Sequence, residues 1–310
     1  MLSRVADSLY WMSRYVERAD GILRMLKVNY ISSQEDSSNF SWDPILRIFT
    51  YVHEENWGKF HSDGREVLAF MVSQKENENS VINMVARSRE NARSAQDHIT
   101  KEVWQSLNDF YHISRSVELE TRIREEDPVG LLDSLIKHCM IYYGVVDITM
   151  GRGEGMNFMN IGKFLERALQ SVDILDIKFS DVSYDLDNPA HSTYWKYLLY
   201  SISGYELYLK SYKGSLEPRN IVHQIILNGD FPRSLHYSIT KLQLSVERIR
   251  SKQNTKNYAH LEFILGKLKS RIQYSSIEGI AEEGLHSYLK TIKNDLILFN
   301  AELNEQYFAY

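Results

Sequence analysis

Cysteine occurs once in the 310 residues, which excludes an internal disulfide framework and suits the cytosol. That residue, Cys139, lies in the apolar stretch LLDSLIKHCMIYYGVV and reads as a buried, inert thiol. Proline is scarce too: Pro44, Pro128, Pro189, Pro218 and Pro232 are the only five, and each marks a break. Few prolines and only 15 glycines disfavour a turn-rich sheet and favour long helices. There is no basic tail or lysine-rich block, and the formal net charge is -5, which excludes general nucleic-acid binding. No window offers about 18 consecutive apolar residues, so no membrane span is expected. The first segment, MLSRVADSLYWMSRYVERAD, has no uninterrupted apolar core and no small-residue cleavage site, which excludes a secretory signal and leaves a cytoplasmic protein as the expectation.

What is present is ordinary globular material, 43% hydrophobic and 25% charged, enough for one large domain or two. The 20 tyrosines and 12 phenylalanines recur at three- and four-residue intervals, as in Tyr205, Tyr208 and Tyr212, which is helical spacing rather than strand alternation. Residues 3 to 30 predict one long helix, with Val5, Leu9, Met12, Val16, Leu23 and Tyr30 in a narrow arc. A polar connector (32–41) leads to short helices at 42–52 and 65–72. Ser80 caps a helix through about Ile99 that continues to 123 with a kink near Thr100. EEDPVG (125–130) is the clearest internal boundary, dividing the chain into units 1–126 and 127–310 packed as one body. Further helices are expected near 131–150, 157–178, 192–213, 218–228, 233–252, 257–275 and 277–308, with a short turn around Ser275 and Ser276. The fold class is all-α, a multi-helix bundle. WMSRYVERADGILRMLKV also aligns with FMNIGKFLERALQSVDILDI, so that Arg14 to Ala19 fall on Lys163 to Ala168; a duplicated helical unit is one reading of this echo and chance similarity the other.

The stretch TMGRGEGMNFMNIGKFLERAL (149–169) contains glycines 151, 153 and 155 and a Gly-Lys pair. A dinucleotide loop needs G-x-G-x-x-G after a strand, and a triphosphate loop needs G-x-x-x-x-G-K-[ST]. Asn157 stands where the second pattern needs glycine, Phe164 where it needs Ser or Thr, and the preceding segment reads as helix. A helix–helix connector remains, its glycines allowing positive φ, with Arg152 and Glu154 beside a helix N-terminus that favours anions.

Two further clusters of charge accompany it. The first helix carries Asp7, Arg14, Glu17, Arg18 and Gly21 opposite its main apolar stripe, where charges are costly unless paired or functional. In ARSRENARS (86–94), Arg89 and Arg93 share a face with Glu90 and Asn91, and repel unless a carboxylate sits between them. Arg233, behind Pro232 in the first turn of a helix capped by Asp230, is a cation near a helix start: it is either a plain surface arginine, the favoured reading, or one that reaches for an anion or carboxylate elsewhere. Six arginines (14, 18, 89, 93, 152 and 167) against Glu17, Glu90 and Glu166 leave a positive excess. If they converge on one interior cleft, that excess favours an anionic ligand; a closed structural salt-bridge network is the other reading. The ten histidines are read as forming no H-E-x-x-H and no E-x-x-H pair, and no metal or other cofactor is expected.

These segments carry a resemblance. MLSRVADSLYWMSRYVERAD, ARSRENAR, DITMGRGEGMNFMNIGKFLERA and FPRSLHYSITKL resemble, in this order and over essentially the whole chain, the bacterial alpha-E family. The resemblance implies an all-helical protein encoded beside or fused to a circularly permuted ATP-grasp ligase, often near a transglutaminase-like peptidase. By position the family's recurring polar residues fall on Arg14, Glu17, Arg18, Arg89, Glu90, Asn91, Arg93, Arg152, Glu154, Glu166, Arg167 and Arg233. Lys163 departs from the usual arginine, which weakens two-point carboxylate binding there, and Gly153 and Met156 replace the usual aspartate and tryptophan. The expected role is a ligase partner that holds a carboxylate- or phosphate-bearing peptide or amino-acid derivative on arginines. The alternatives are an enzyme in its own right, with Glu17, Glu90 or Glu166 as acid and base, and a purely structural helical scaffold.

Overall fold

The computed structural model describes residues 1–35, 41–49, 63–187, 192–250 and 255–308, the side chains of 255–257 excepted. It is 80% helical, and the described residues contain fifteen α-helices and no strand. Part of the polar connector (36–40), the last residues of the helix expected at 42–52, Pro189 and residues 251–252 lie outside that set.

Two compact units divide the chain. One comprises Trp11–Gly151 and is here the N-terminal unit; the other joins Met1–Tyr10 to Arg152–Tyr310 and is the C-terminal unit. The expected boundary at 126/127 falls inside the N-terminal unit. Its local signal was real: Asp127 caps α7 (Pro128–Thr149) by accepting from the Val129 amide at 3.0 Å, with Pro128 in the first turn.

α1 (Ser3–Glu35), which belongs to the N-terminal unit from Trp11 on, is longer than its apolar periodicity predicts. After α2 (Asp43–Phe49) and α3 (Gly64–Val72), α4 (Val81–Ser94) and α5 (Lys101–Ser114) pack together, and α5 packs on α7. The expected kink near Thr100 is a full break. A 3-10 turn (Gln96–His98) follows α4, and the Thr100 hydroxyl then caps α5 by accepting from the Val103 amide at 3.3 Å. Ser80 occupies the cap position of α4 but makes no side-chain capping bond. The short α6 (Leu119–Arg124) packs against α3 and α7. Buried hydroxyls tie the unit to α1: Ser88 donates to the Met12 carbonyl at 3.0 Å, and Ser13 and Tyr142 are 2.9 Å apart. Cys139 is buried, as its apolar neighbours predict.

In the C-terminal unit, α8 (Glu154–Ser180) packs against α12 (Leu235–Arg248) and α15 (Leu285–Leu303), and both contact α13 (Thr255–Gln273). The helix expected at 192–213 is two, α9 (Ser192–Ser201) and α10 (Tyr205–Ser211). Ser203 is left-handed (φ 55°), and a Cβ on Gly204 would meet Gln224 Nε2 at 2.8 Å and Phe231 Cζ at 2.9 Å, so the close packing at this corner requires glycine. α11 (Pro218–Val222) runs into a π-helical turn (His223–Leu227). The helix expected at 277–308 breaks at Gly284, whose φ of 86° ends α14 (Ile277–Glu283) before α15 starts.

α7 is the one helix among the described residues that is long and apolar enough to cross a membrane. A search for uninterrupted apolar runs misses it, because Asp133, Lys137 and Asp147 interrupt the run.

Candidate functional site

The predicted residues fall in both units. In the N-terminal unit, Glu17 is fully buried on α1 and accepts from the Tyr143 hydroxyl of α7 at 2.8 Å. One turn on, Asp20 is also fully buried and accepts from Arg24 Nε at 2.9 Å. Burial works against the Arg24 charge, but the Asp20 carboxylate outweighs it, and the guanidinium pKa rises above its ordinary value. Burial, partly relieved by the bond to Ser13 and reinforced by the Glu17 charge, pushes the Tyr142 hydroxyl pKa well above the ordinary phenol value. Arg14 is buried and lies over the Trp11 ring at 4.7 Å, while Arg18 is half-buried.

The α4 cluster has a different character. Glu90 sits between the two arginines, 3.0 Å from Arg89 and 3.5 Å from Arg93, which removes the expected repulsion. The Arg93 side chain is 67% exposed and that of Glu90 58%, so this ladder lies at the surface rather than in an interior cleft. Only Arg89 is well covered. Its guanidinium donates to Asn108 at 2.9 Å and stacks over Trp104 and Tyr111, all three from α5. Asn91 is half-buried beside them.

In the C-terminal unit, Glu166 is buried on α8 and accepts weakly from Gln170 one turn on, at 3.4 Å. Arg167 is buried over the Phe164 ring and donates to the Pro232 carbonyl at 3.0 Å. The Ser171 hydroxyl lies 2.9 Å from the Arg167 carbonyl and 2.8 Å from that of Arg233, which fastens the Pro232–Arg233 turn to α8. The helix after that turn is capped by Ser234, which accepts from the Tyr237 amide at 3.0 Å, so Asp230 is not the cap and Pro232 precedes the first turn. Lys163 is half-buried over Phe164. Farther along α8, Asp173 pairs with Lys293 of α15 at 2.6 Å. Burial raises the Asp173 pKa above the usual carboxylate range, Lys293 opposes that rise, and the charges of Glu166 and Asp176 add to it.

The glycine connector is four residues long, Met150 to Gly153. A helix precedes it, as the exclusion of a nucleotide loop requires. Its glycines do not supply positive φ: Gly153 has φ -88°, and Met150 and Gly153, which flank the two helices, are in the extended region. A Cβ at Gly151 or Gly153 would meet nothing within 4 Å. Arg152 and Glu154 are exposed, and Glu154 accepts from the Met1 amine at 3.0 Å. Among the described residues no group of three His, Cys, Asp or Glu side chains could hold a metal ion. The expectation of no Glu-x-x-His pair is corrected by Glu283 and His286, but that spacing is split at Gly284: Glu283 bonds Arg271, and His286 bonds Asp176 at 2.8 Å.

Sequence reasoning missed Tyr143, Asn108, Trp104 and Tyr111, the partners that hold Glu17 and Arg89. Polar-tipped aromatics inside apolar helices are the available signal, since a buried phenol or indole seeks a partner.

The chain has three Glu-Arg dipeptides, at 17–18, 166–167 and 247–248. Glu17 and Glu166 are buried in the two long helices, whereas Glu247 and Arg248 are exposed. That recurrence bears on the comparisons with known proteins. The chain is 22% identical to Mb2597 of Mycobacterium bovis and 21% identical to Rv2567 of Mycobacterium tuberculosis, both named as uncharacterized proteins. Each alignment covers 92% of this chain and 34% of the relative, so the chain spans about a third of the curated relatives' length. No solved structure matches it significantly. The Alpha-E model, described as a predicted alpha-helical domain with a conserved ER motif, matches residues 1–308, and the chain therefore belongs to the Alpha-E family.

Proposed function

We propose that the chain is the partner protein of an ATP-grasp amide or peptide ligase, and that arginines of its buried Glu-Arg segments hold a carboxylate- or phosphate-bearing peptide or amino-acid substrate. One observation carries this reading: of three Glu-Arg pairs, the two on the long helices α1 and α8 have buried glutamates, with Arg18 half-buried and Arg167 buried, while both members of the third are exposed. Burying ionic groups is costly, and replacing them with apolar residues is often neutral or stabilising, so their presence inside long helices points to use. Arginine is the cation whose planar fork matches carboxylate and phosphate. The greater length of the mycobacterial relatives fits a domain that works beside others. The same reading takes the two pairs as copies of one helical unit, supported by burial of Val16, Glu17 and Ala19 and of their counterparts Leu165, Glu166 and Ala168. Glu90 fits acid–base catalysis poorly, since it is exposed and shared between two arginines.

Co-expression with the neighbouring ATP-grasp gene product tests this proposal. The expected result is a co-purifying complex whose ATP-dependent ligation of an amine to a peptide or amino-acid carboxylate needs this chain. Ligation at the same rate without the chain would refute it.

A further inference from the structure

In the N-terminal unit, one side of α5 carries a row of cationic and aromatic side chains. Lys101, Trp104, Asn108, Tyr111 and Arg115 fall within an arc of about 80° at 100° per residue and span about 21 Å. No carboxylate interrupts the row, since Glu102 and Asp109 lie about 100–120° round the helix from Asn108. Trp104, Asn108 and Tyr111 are half-buried, whereas Lys101 and Arg115 are exposed. α4 sets Arg89 against this row, over Trp104 at 5.2 Å and over Tyr111 at 4.7 Å, and Arg115 lies over Tyr111 at 5.0 Å. A guanidinium held flat on rings keeps its N–H edge free for a carboxylate. Asn108 accepts from Arg89 Nε and Glu90 from Nη1, which leaves Nη2 without a partner among the described residues. Glu90 is also the one carboxylate there that bonds any of Arg89, Arg93, Lys101 and Arg115. Arg115 suits the C-terminal end of the helix dipole, but Lys101 stands in the first turn, where the dipole disfavours a cation. Packing of α5 on α4 explains Arg89 and leaves Lys101 unexplained.

We infer that this face of α4 and α5 docks an acidic peptide segment of a partner protein, whose carboxylates meet Lys101, Arg89 and Arg115 while its apolar atoms cover Trp104 and Tyr111. Two separate features point there. The local surplus of positive charge, on a chain whose formal net charge is -5, selects an acidic partner. Trp, Tyr and Arg are also the residues that dominate binding energy at protein interfaces, and half-buried, stacked side chains lose little freedom on binding. Nucleic acid shares the negative charge but needs open ring faces on which bases can stack. Here Tyr111 already carries two guanidinium groups and Trp104 carries Arg89. The inference stands apart from the ligase reading, which rests on the Glu-Arg pairs of α1 and α8.

Fluorescence anisotropy of the full chain with a labelled oligoglutamate of about seven residues, the extended length that spans the row, tests the inference. The wild type should bind it saturably, and less tightly as salt is added. Lys101→Glu and Arg115→Glu should each weaken binding about fivefold, and together about 25-fold, because the two ends of the row act independently. Both side chains are exposed, so circular dichroism should stay unchanged. If a reversed charge disturbs the fold, Lys101→Gln and Arg115→Gln keep the test, each with a loss of about twofold. Lys137→Glu, at an exposed cation of α7, should bind as the wild type does. A wild type that does not bind oligoglutamate overturns the inference. So do row variants that bind unchanged, an equal loss in Lys137→Glu, or an oligothymidylate of the same charge held as tightly as oligoglutamate or more so.

Discussion

In α1 the cation three residues before the buried glutamate, Arg14, lies inside and the following Arg18 is half-buried; in α8 the order is reversed, with Arg167 inside and Lys163 half-buried. The glutamates themselves are buried in both helices. The cations follow their neighbours: Arg14 has the Trp11 ring, and Arg167 has the Phe164 ring and the Pro232 carbonyl. The comparison shows that helical periodicity fixes where the carboxylate goes, whereas tertiary packing decides which cation accompanies it. The next ion pair along each helix differs as well. Asp20–Arg24 is almost wholly interior, while Lys293 leaves its pair with Asp173 partly in water.

That difference sets the largest expected effect. Asp20→Ala removes the carboxylate that outweighs burial at Arg24 and should cost about 3–5 kcal/mol. Asp173→Ala, with a solvated lysine partner, should cost about 1 kcal/mol or less. Urea titration of the two variants measures both, and equal losses would break the distinction between the helices. A smaller contrast lies in the caps. Ser234→Ala removes a capping bond in the C-terminal unit and should cost about 1 kcal/mol. Ser80→Ala in the N-terminal unit removes a buried hydroxyl that has no hydrogen-bond partner among the described residues, so the change should be neutral or stabilising by thermal melt.

The smallest effect is in pH. Burial lowers the pKa of His138 in the N-terminal unit, against the opposing charge of Asp109, and burial lowers that of His223 in the C-terminal unit. A histidine whose folded pKa is depressed binds fewer protons folded than unfolded. Stability should therefore fall as pH drops below the unfolded value of about 6.5 and level off below the folded value. Melting temperatures between about pH 8 and 5 should decline less steeply for His138→Phe than for the wild type. His138 stacks on Phe110, so the replacement keeps an aromatic contact. An unchanged slope would remove His138 from this account.

Much of the architecture was legible because it is periodic. The α1 stripe, the Asp127–Pro128 helix start and the buried Cys139 follow from local chemistry alone. Breaks were legible less often. Thr100, Ser203 and Gly204 interrupt segments whose apolar spacing continues across them, and the Gly204 corner exists because Gln224 and Phe231 press against it from elsewhere in the chain. In the candidate site, Glu90's bridging of Arg89 and Arg93 was readable from helical spacing, but their exposure was not, because it depends on how α5 covers α4. The partners of Glu17 and Arg89 are aromatic and amide side chains that no charge pattern marks.

The central claim, that the buried Glu-Arg pairs serve function and the exposed one does not, is tested most directly by three matched variants. Glu17→Gln, Glu166→Gln and Glu247→Gln each remove one charge with almost no change in volume. In the ATP-dependent ligation assay with the proposed partner ligase, the first two should lower the rate by about tenfold or more while circular dichroism shows a folded chain, and the third should match the wild type. Equal rates for all three, or a loss confined to Glu247→Gln, would contradict the account.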